Sequence, residues 1–339
     1  ATLRTPRASS RRPTAMRSAS GSGTFLGRDA PMLGLGMAAL GRPGYINLGH
    51  GQDMRKGTSV EEMREHAWEV LDAAWAQGIR YFDCARSYGK AEEFLSGWLA
   101  ARGIAPGDVT VGSKWGYYYT ADWKVDTGGT PHEVKEHTFD NLAKQTELTR
   151  GLLGSHIDLY QIHSATLDSG VLERKEVLEE LARMKKDLGW KMGLSLSGTA
   201  QGETLRKAME VEMPGGGRLF DSCQATWNLL EQSAGPALLE AHEAGMEVIV
   251  KEAMANGRVL ASSNPAAAAR LAPLTQAAAD LGVSPDALAL ACVIAQPFRP
   301  MVLSGAACCD HLASNAEAAA ASGKVGVVLG GLMEALRQD

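Results

Sequence analysis

The chain of 339 residues has little of what marks several protein classes. Its five cysteines (Cys84, Cys223, Cys292, Cys308 and Cys309) form no C-x-x-C pair and follow no regular spacing. That pattern excludes a zinc scaffold or a disulfide framework and reads as reduced thiols. No apolar run approaches the roughly 18 residues that a membrane span requires. Basic residues number 34 against 39 acidic ones, a net charge of −5. Without a basic excess, the chain has no means of holding nucleic acid by its phosphates. What is present is ordinary for a globular protein: 45% apolar and 22% charged residues. The length suffices to bury a core without a metal or disulfide staple.

The first 28 residues lack something else. They carry six arginines (Arg4, Arg7, Arg11, Arg12, Arg17 and Arg28), many Ser and Thr, and no carboxylate before Asp29. An Arg-rich, Ser-rich, acid-free segment has the composition of an organelle transit peptide. The expectation is therefore a cleaved leader over residues 1–28, of chloroplast type with the mitochondrion as the alternative. A soluble domain would follow over residues 29–339. Without the leader, 28 basic residues face 39 acidic ones, so any phosphate recognition must be local.

Beyond residue 29, short apolar runs alternate with amphipathic segments. Strands are predicted at Leu33–Met37, Arg80–Cys84, Val109–Lys114, Ile157–His163, Lys191–Leu196, Asp221–Trp227, Met246–Glu252 and Met301–Gly305. Helices are predicted between them, among others at Ser59–Gln77, Ala91–Arg102, Glu133–Leu153, Lys175–Leu188 and His311–Ala321. Continuous apolar strands are those buried on both faces. Eight strand-then-helix units in about 300 residues point to one (β/α)8 TIM barrel and not to an open sheet. A further helix near Val327–Arg337 lies outside the eightfold count.

Barrel chemistry sits at the C-terminal ends of the strands. Three successive strands end in ionisable groups: Asp83, Lys114 and His163, with Tyr88 in the loop after Asp83. A tyrosine has a reference pKa near 10. A neighbouring lysine would lower it, and a buried aspartate would hold that lysine charged. A histidine donating to a substrate oxygen would stabilise developing negative charge. Together these four groups suit carbonyl reduction, in which a hydride reaches carbon and a proton reaches oxygen. Gly34-Leu35-Gly36 lacks the third glycine of a Rossmann fingerprint. No three-ligand metal set is read, so no metal is expected.

The segments Phe82-Asp83-x-Ala85-x-x-Tyr88-Gly89, Lys114, Asp158-Leu159-Tyr160-x-Ile162-His163 and Gly305-Ala306…Asn315 together resemble the aldo-keto reductase superfamily. The likeness runs from about Leu33 to Ala321. It implies NADP(H) bound in extended form, with NAD(H) the alternative, and a catalytic tetrad of Tyr88, Asp83, Lys114 and His163. It also implies cofactor contacts from Gly36, Met37, Asp83, Ser195, Gln224, Lys251, Met254, Asn256, Gly257, Gly305, Ala306, His311, Ser314 and Asn315. The chain departs from the family at several of these places. Leu196 stands where an asparagine is usual, and Lys251 where an aromatic commonly stacks on nicotinamide. Ala307 occupies the place where many NADP-preferring relatives carry arginine, and Ser314 replaces a common glutamate.

The loop after Lys114 concentrates aromatics in a chain only 6% aromatic. Trp115, Tyr117 and Trp123 are expected to wall a pocket for an apolar or sugar-like carbonyl compound. The function expected is NADP(H)-dependent reduction of aldehydes or ketones. The alternatives are an NAD(P)-dependent sugar dehydrogenase working oxidatively and a cofactor-binding regulatory subunit with little turnover.

Overall fold

Strands that are apolar on both sides need cover on both sides, and the chain provides it by closing them on themselves. The computed structural model describes residues 22–44, 57–260 and 265–337. Eight parallel strands close a barrel: β3 (Leu33–Gly36), β4 (Tyr81–Asp83), β5 (Thr110–Trp115), β8 (Ile157–Ala165), β9 (Lys191–Leu196), β10 (Ser222–Thr226), β11 (Glu247–Lys251) and β12 (Met301–Ser304). Pairing of Val302 with Leu33 and of Ser304 with Leu35 joins the last strand to the first. The expected (β/α)8 barrel is therefore present as one unit.

The outer helices follow the sequence patterns closely. α1 (Val60–Ala76) starts at a reciprocal capping box between Ser59 and Glu62, which satisfies two otherwise orphaned backbone donors. Its buried stripe of Met63, Ala67, Val70, Leu71 and Ala74 has the spacing of one helical face. α2 (Ala91–Arg102) ends at Gly103, whose φ of 62° is the left-handed stop that glycine adopts without steric cost. Helix α3 (Phe139–Leu153) begins later than the predicted Glu133. Instead β7 (Glu133–Lys135) pairs antiparallel with the aromatic β6 (Tyr117–Tyr119), and Thr138 caps the helix. The β propensity of three consecutive tyrosines draws that segment into a ribbon that a helical reading misses. The ring continues with α4 (Lys175–Leu188), α5 (Gln201–Met209), α6 (Gly235–Glu243), α7 (Pro265–Leu281), α8 (Pro285–Ile294) and α9 (Cys309–Ala321). The extra C-terminal helix is α10 (Leu329–Leu336), which buries Leu332 and Leu336.

At the floor of the barrel the chain continues without a break across the expected boundary at residue 28. A hairpin of β1 (Ser22–Phe25) and β2 (Arg28–Pro31) belongs to the packed structure. Phe25 is 1% exposed and meets the ring of Tyr81 edge-on at 4.8 Å. Arg28 pairs with Asp158 at 2.7 Å and donates to the Val109 carbonyl at 2.8 Å. A break at residue 28 would remove the Phe25 anchor from the barrel floor. The rest of the expected leader, residues 1–21, lies outside the described residues. Phe25→Ala should cost about 3–5 kcal/mol by opening a cavity under the barrel. A thermal midpoint unchanged by that substitution would show that the hairpin does not seal the floor.

Among the described residues, no single helix is long and apolar enough to cross a membrane.

Candidate active site

The C-terminal ends of β4, β5 and β8 bring the expected groups together. Lys114 has no exposed surface; its Nζ pairs with Asp83 Oδ2 and donates to the Cys84 carbonyl at 2.9 Å and to Tyr88 Oη at 3.3 Å. A buried ammonium is tolerable only when paired and hydrogen-bonded in this way. The other Asp83 oxygen, Oδ1, accepts from Tyr81 Oη at 2.9 Å, Gln224 Nε2 at 3.0 Å and Gln161 Nε2 at 3.3 Å. The ring of Tyr88 packs edge-on to His163, with centroids 5.4 Å apart.

Burial, and after it the negative charge of Asp83, push the Tyr88 phenol well above its ordinary value of 10. This corrects the expectation that Lys114 lowers it: desolvation outweighs the neighbouring cation. Burial, followed by the charges of Lys114 and Lys251, holds His163 well below its usual 6.5, so the imidazole is neutral. His163 Nδ1 lies 3.3 Å from Ser87 Oγ. In the tautomer with its proton on Nε2, Nδ1 is the acceptor and the Ser87 hydroxyl the donor.

Supporting residues that sequence reading missed hold this arrangement. Glu92 of α2 is 2% exposed and accepts from Ser113 at 2.5 Å and Thr149 at 2.9 Å, and pairs with Arg86. It thereby ties β5, next to Lys114, to the loop that carries Tyr88. His137 Nε2 lies 2.8 Å from the His163 carbonyl, and burial lowers the His137 pKa to about 4. Gly116, at φ 113°, leaves room for that ring; a Cβ there would lie 2.4 Å from His137 Cδ2. Gly41 does the same for the catalytic-end loop, since a Cβ there would lie 2.2 Å from the Tyr88 carbonyl. Neither His137 nor Glu92 stands at a predicted strand end, so only their spatial neighbours reveal them.

From Asp83 and Tyr88 a groove runs across the ends of β10, β11 and β12 to the first turns of α8 and α9. Of the expected cofactor residues, Gly36, Asp83, Gln224, Lys251, Met254, Asn256, Gly257, Gly305, Ala306, His311 and Asn315 line it. Three do not. Met37 is fully buried in the core; its N–H donates to the Asp83 carbonyl at 2.9 Å. Ser195 is likewise buried, its Oγ accepting from the Ser164 N–H at 2.8 Å. The Ser314 hydroxyl is bonded to Asp286 Oδ2 at 2.5 Å. Ala38, Ala39, Leu260, Asp286, Leu303 and Ser304 line the groove without having been expected, and Glu252, Ala253 and Ala307 line it beside the expected contacts. Glycines and alanines leave much of its wall as bare backbone, which suits an extended, flat ligand that must approach closely.

The aromatic wall is narrower than expected. Tyr117 stands beside His163, with ring centroids 4.9 Å apart. Trp115 instead has no exposed surface and packs on His137, so it has none to present to a substrate. Trp123 turns to Phe94, 6.3 Å away, and donates to the Thr58 carbonyl at 2.6 Å. No group of three or more metal-ligating side chains occurs among the described residues.

Known proteins match this architecture. A curated relative from a Pseudomonas species, D-threo-aldose 1-dehydrogenase, is 26% identical over 251 residues, spanning 70% of this chain and 71% of that protein. An aldo-keto reductase from Bacillus halodurans, solved in its holo form, superposes with a TM-score of 0.65 at 18% identity, covering 94% of this chain and 97% of the other. A Pseudomonas aeruginosa protein provisionally named an aldo-keto reductase gives 0.59 at 23% identity, covering 88% and 92%. At these identities the two structures establish a shared fold. A sequence model of the aldo/keto reductase family matches residues 33–323. The chain therefore belongs to the aldo/keto reductase family of oxidoreductases.

Proposed function

We propose that this protein interconverts a small carbonyl compound and its alcohol, using a nicotinamide dinucleotide held along the groove. The observation that carries the reading is Lys114, buried between Asp83 and Tyr88 at the deep end of that groove. When bound, the dinucleotide supplies or accepts the hydride. Gln224, Lys251, Met254, Asn256, Gly305, Ala306 and Asn315 would hold it. Tyr88 then delivers the proton to the substrate oxygen, and Lys114 stabilises the phenolate that remains. His163 donates from Nε2 to the same oxygen as negative charge builds there, a contribution of about 2.7–4 kcal/mol for a well-placed donor. Tyr117, beside His163, would bound the space for the rest of the substrate.

The neutral phenol favours the reductive direction, because Tyr88 is already in the form that donates. The curated relative, named as an aldose dehydrogenase, supports a second reading in which a sugar is oxidised at the same site. There Tyr88 must first lose its proton to act as base. The signs of the two pH profiles are therefore opposite. With the Tyr88 pKa raised, the reduction rate should stay level from about pH 6 to 9, since the phenol persists throughout. Oxidation should climb by roughly tenfold per pH unit over the same range, following the small phenolate fraction. Because His163 is held neutral, no inflection is expected near 6.5 in either direction. Rates of NADPH and NADH consumption with a panel of simple aldehydes, ketones and open-chain sugars test the proposal. Rates of NAD(P)+ reduction with aldoses test the reverse. Absence of turnover in both directions would overturn it.

A further inference from the structure

The sequence expectation favoured NADP(H), but the lining of the groove at its α8–α9 end is built differently. An NADP(H) 2′-phosphate carries about −1.5 to −2 charges near neutral pH and calls for arginine or lysine within hydrogen-bond reach. Among the described lining residues, lysine and arginine occur once, as Lys251. That ammonium lies at the opposite, catalytic end. It donates to Thr226 Oγ1 at 2.7 Å and is paired with Glu252 at 2.8 Å, and its charge is one of those acting on His163. Ala307, which lines that end, offers only a methyl group.

A carboxylate occupies the α8–α9 end instead. Asp286, in the first turn of α8, lines the groove together with Ala307, His311 and Asn315. The Ser314 hydroxyl, reaching across from α9, donates to its Oδ2 at 2.5 Å and fixes its position. Burial works against ionisation of Asp286, yet hydrogen bonds from Ser284, Ser314 and backbone N–H groups bring its pKa below the ordinary carboxylate value. An ionised carboxylate can accept a hydrogen bond from a ribose 2′-hydroxyl, and it repels a phosphate at the same place. This is the discrimination that other dinucleotide folds achieve with an acidic residue.

Resting on the proposed dinucleotide chemistry, we infer that Asp286 selects NAD(H) over NADP(H) by accepting from the 2′-hydroxyl and excluding the 2′-phosphate. Titration of NADH and NADPH into the full chain, read by quenching of intrinsic tryptophan fluorescence, measures this without any turnover. NADH should bind at least about tenfold more tightly, a difference of 1.4 kcal/mol. Asp286→Asn should narrow that ratio by about tenfold, mainly by tightening NADPH. Because loss of the carboxylate could also loosen the start of α8, Ala307→Arg provides a second arm. It leaves Asp286 in place, and it too should tighten NADPH and spare NADH. Equal or tighter binding of NADPH by the unmodified protein would overturn the inference. So would an NADH-to-NADPH ratio unmoved by Asp286→Asn, whatever Ala307→Arg does. Binding of neither dinucleotide would overturn the proposed function, and this inference with it.

Discussion

Replacing Tyr88 with phenylalanine should lower turnover by about 10²–10⁴-fold, the loss typical of removing a general acid. The substitution deletes one oxygen and keeps the ring. Its edge-on packing against His163 and its place beneath the Lys114 ammonium, 4.8 Å from the ring centroid, both survive. Folding should therefore be little affected, and so should dinucleotide affinity, since the bulk of the groove wall lies elsewhere. The loss should fall on kcat and not on the cofactor's dissociation constant. Turnover within about threefold of the unmodified protein, less than about 1 kcal/mol of barrier, would mean that the proton comes from another source. His163 or water would then have to supply it.

The placement of the four candidate side chains was legible in the sequence because of how barrels are built. Strands end at the catalytic rim, so an ionisable residue closing an apolar run is placed there by topology alone. Asp83, Lys114 and His163 all meet that condition; the structure pairs Asp83 with Lys114 and sets the Tyr88 ring edge-on to His163. What the sequence hid was the direction in which each remaining side chain turns. Ser195 stands next to the end of an equally convincing strand, yet its Oγ is occupied by the Ser164 N–H. Trp115 follows Lys114 directly but, on a strand, neighbours point to opposite faces, and its indole goes into the core. Glu92 and His137 escaped notice because their partners are distant in the chain: Thr149 is 57 residues from Glu92, and His163 is 26 from His137. The Tyr88 pKa misled for an energetic reason. Pairing a tyrosine with a lysine suggests a lowered value, but the cost of burying a phenolate beside Asp83 decides the sign.

The same balance makes Lys114 the most demanding position in the site. Lys114→Met should abolish most turnover, because the phenolate left when Tyr88 donates would have no cation at 3.3 Å. It should also destabilise the fold. Asp83 would keep its hydrogen bonds from Tyr81, Gln161 and Gln224 but lose its counter-ion in a buried position. Breaking a buried pair from one side costs about 3–5 kcal/mol. At 2–4 °C per kcal/mol, the thermal midpoint should fall by roughly 6–20 °C. The two consequences separate in a double variant. Adding Asp83→Asn to Lys114→Met removes the stranded charge while keeping an oxygen for the same donors, so much of the lost stability should return. Turnover should not return with it, since the cation beside Tyr88 is still missing. Pairing Lys114→Met with Tyr88→Phe should likewise leave turnover scarcely worse than either single change, because both disable one proton transfer. A Lys114→Met, Asp83→Asn variant that regains activity along with stability would assign the lysine to packing alone. In that case its 3.3 Å contact with the phenol would be incidental to the chemistry.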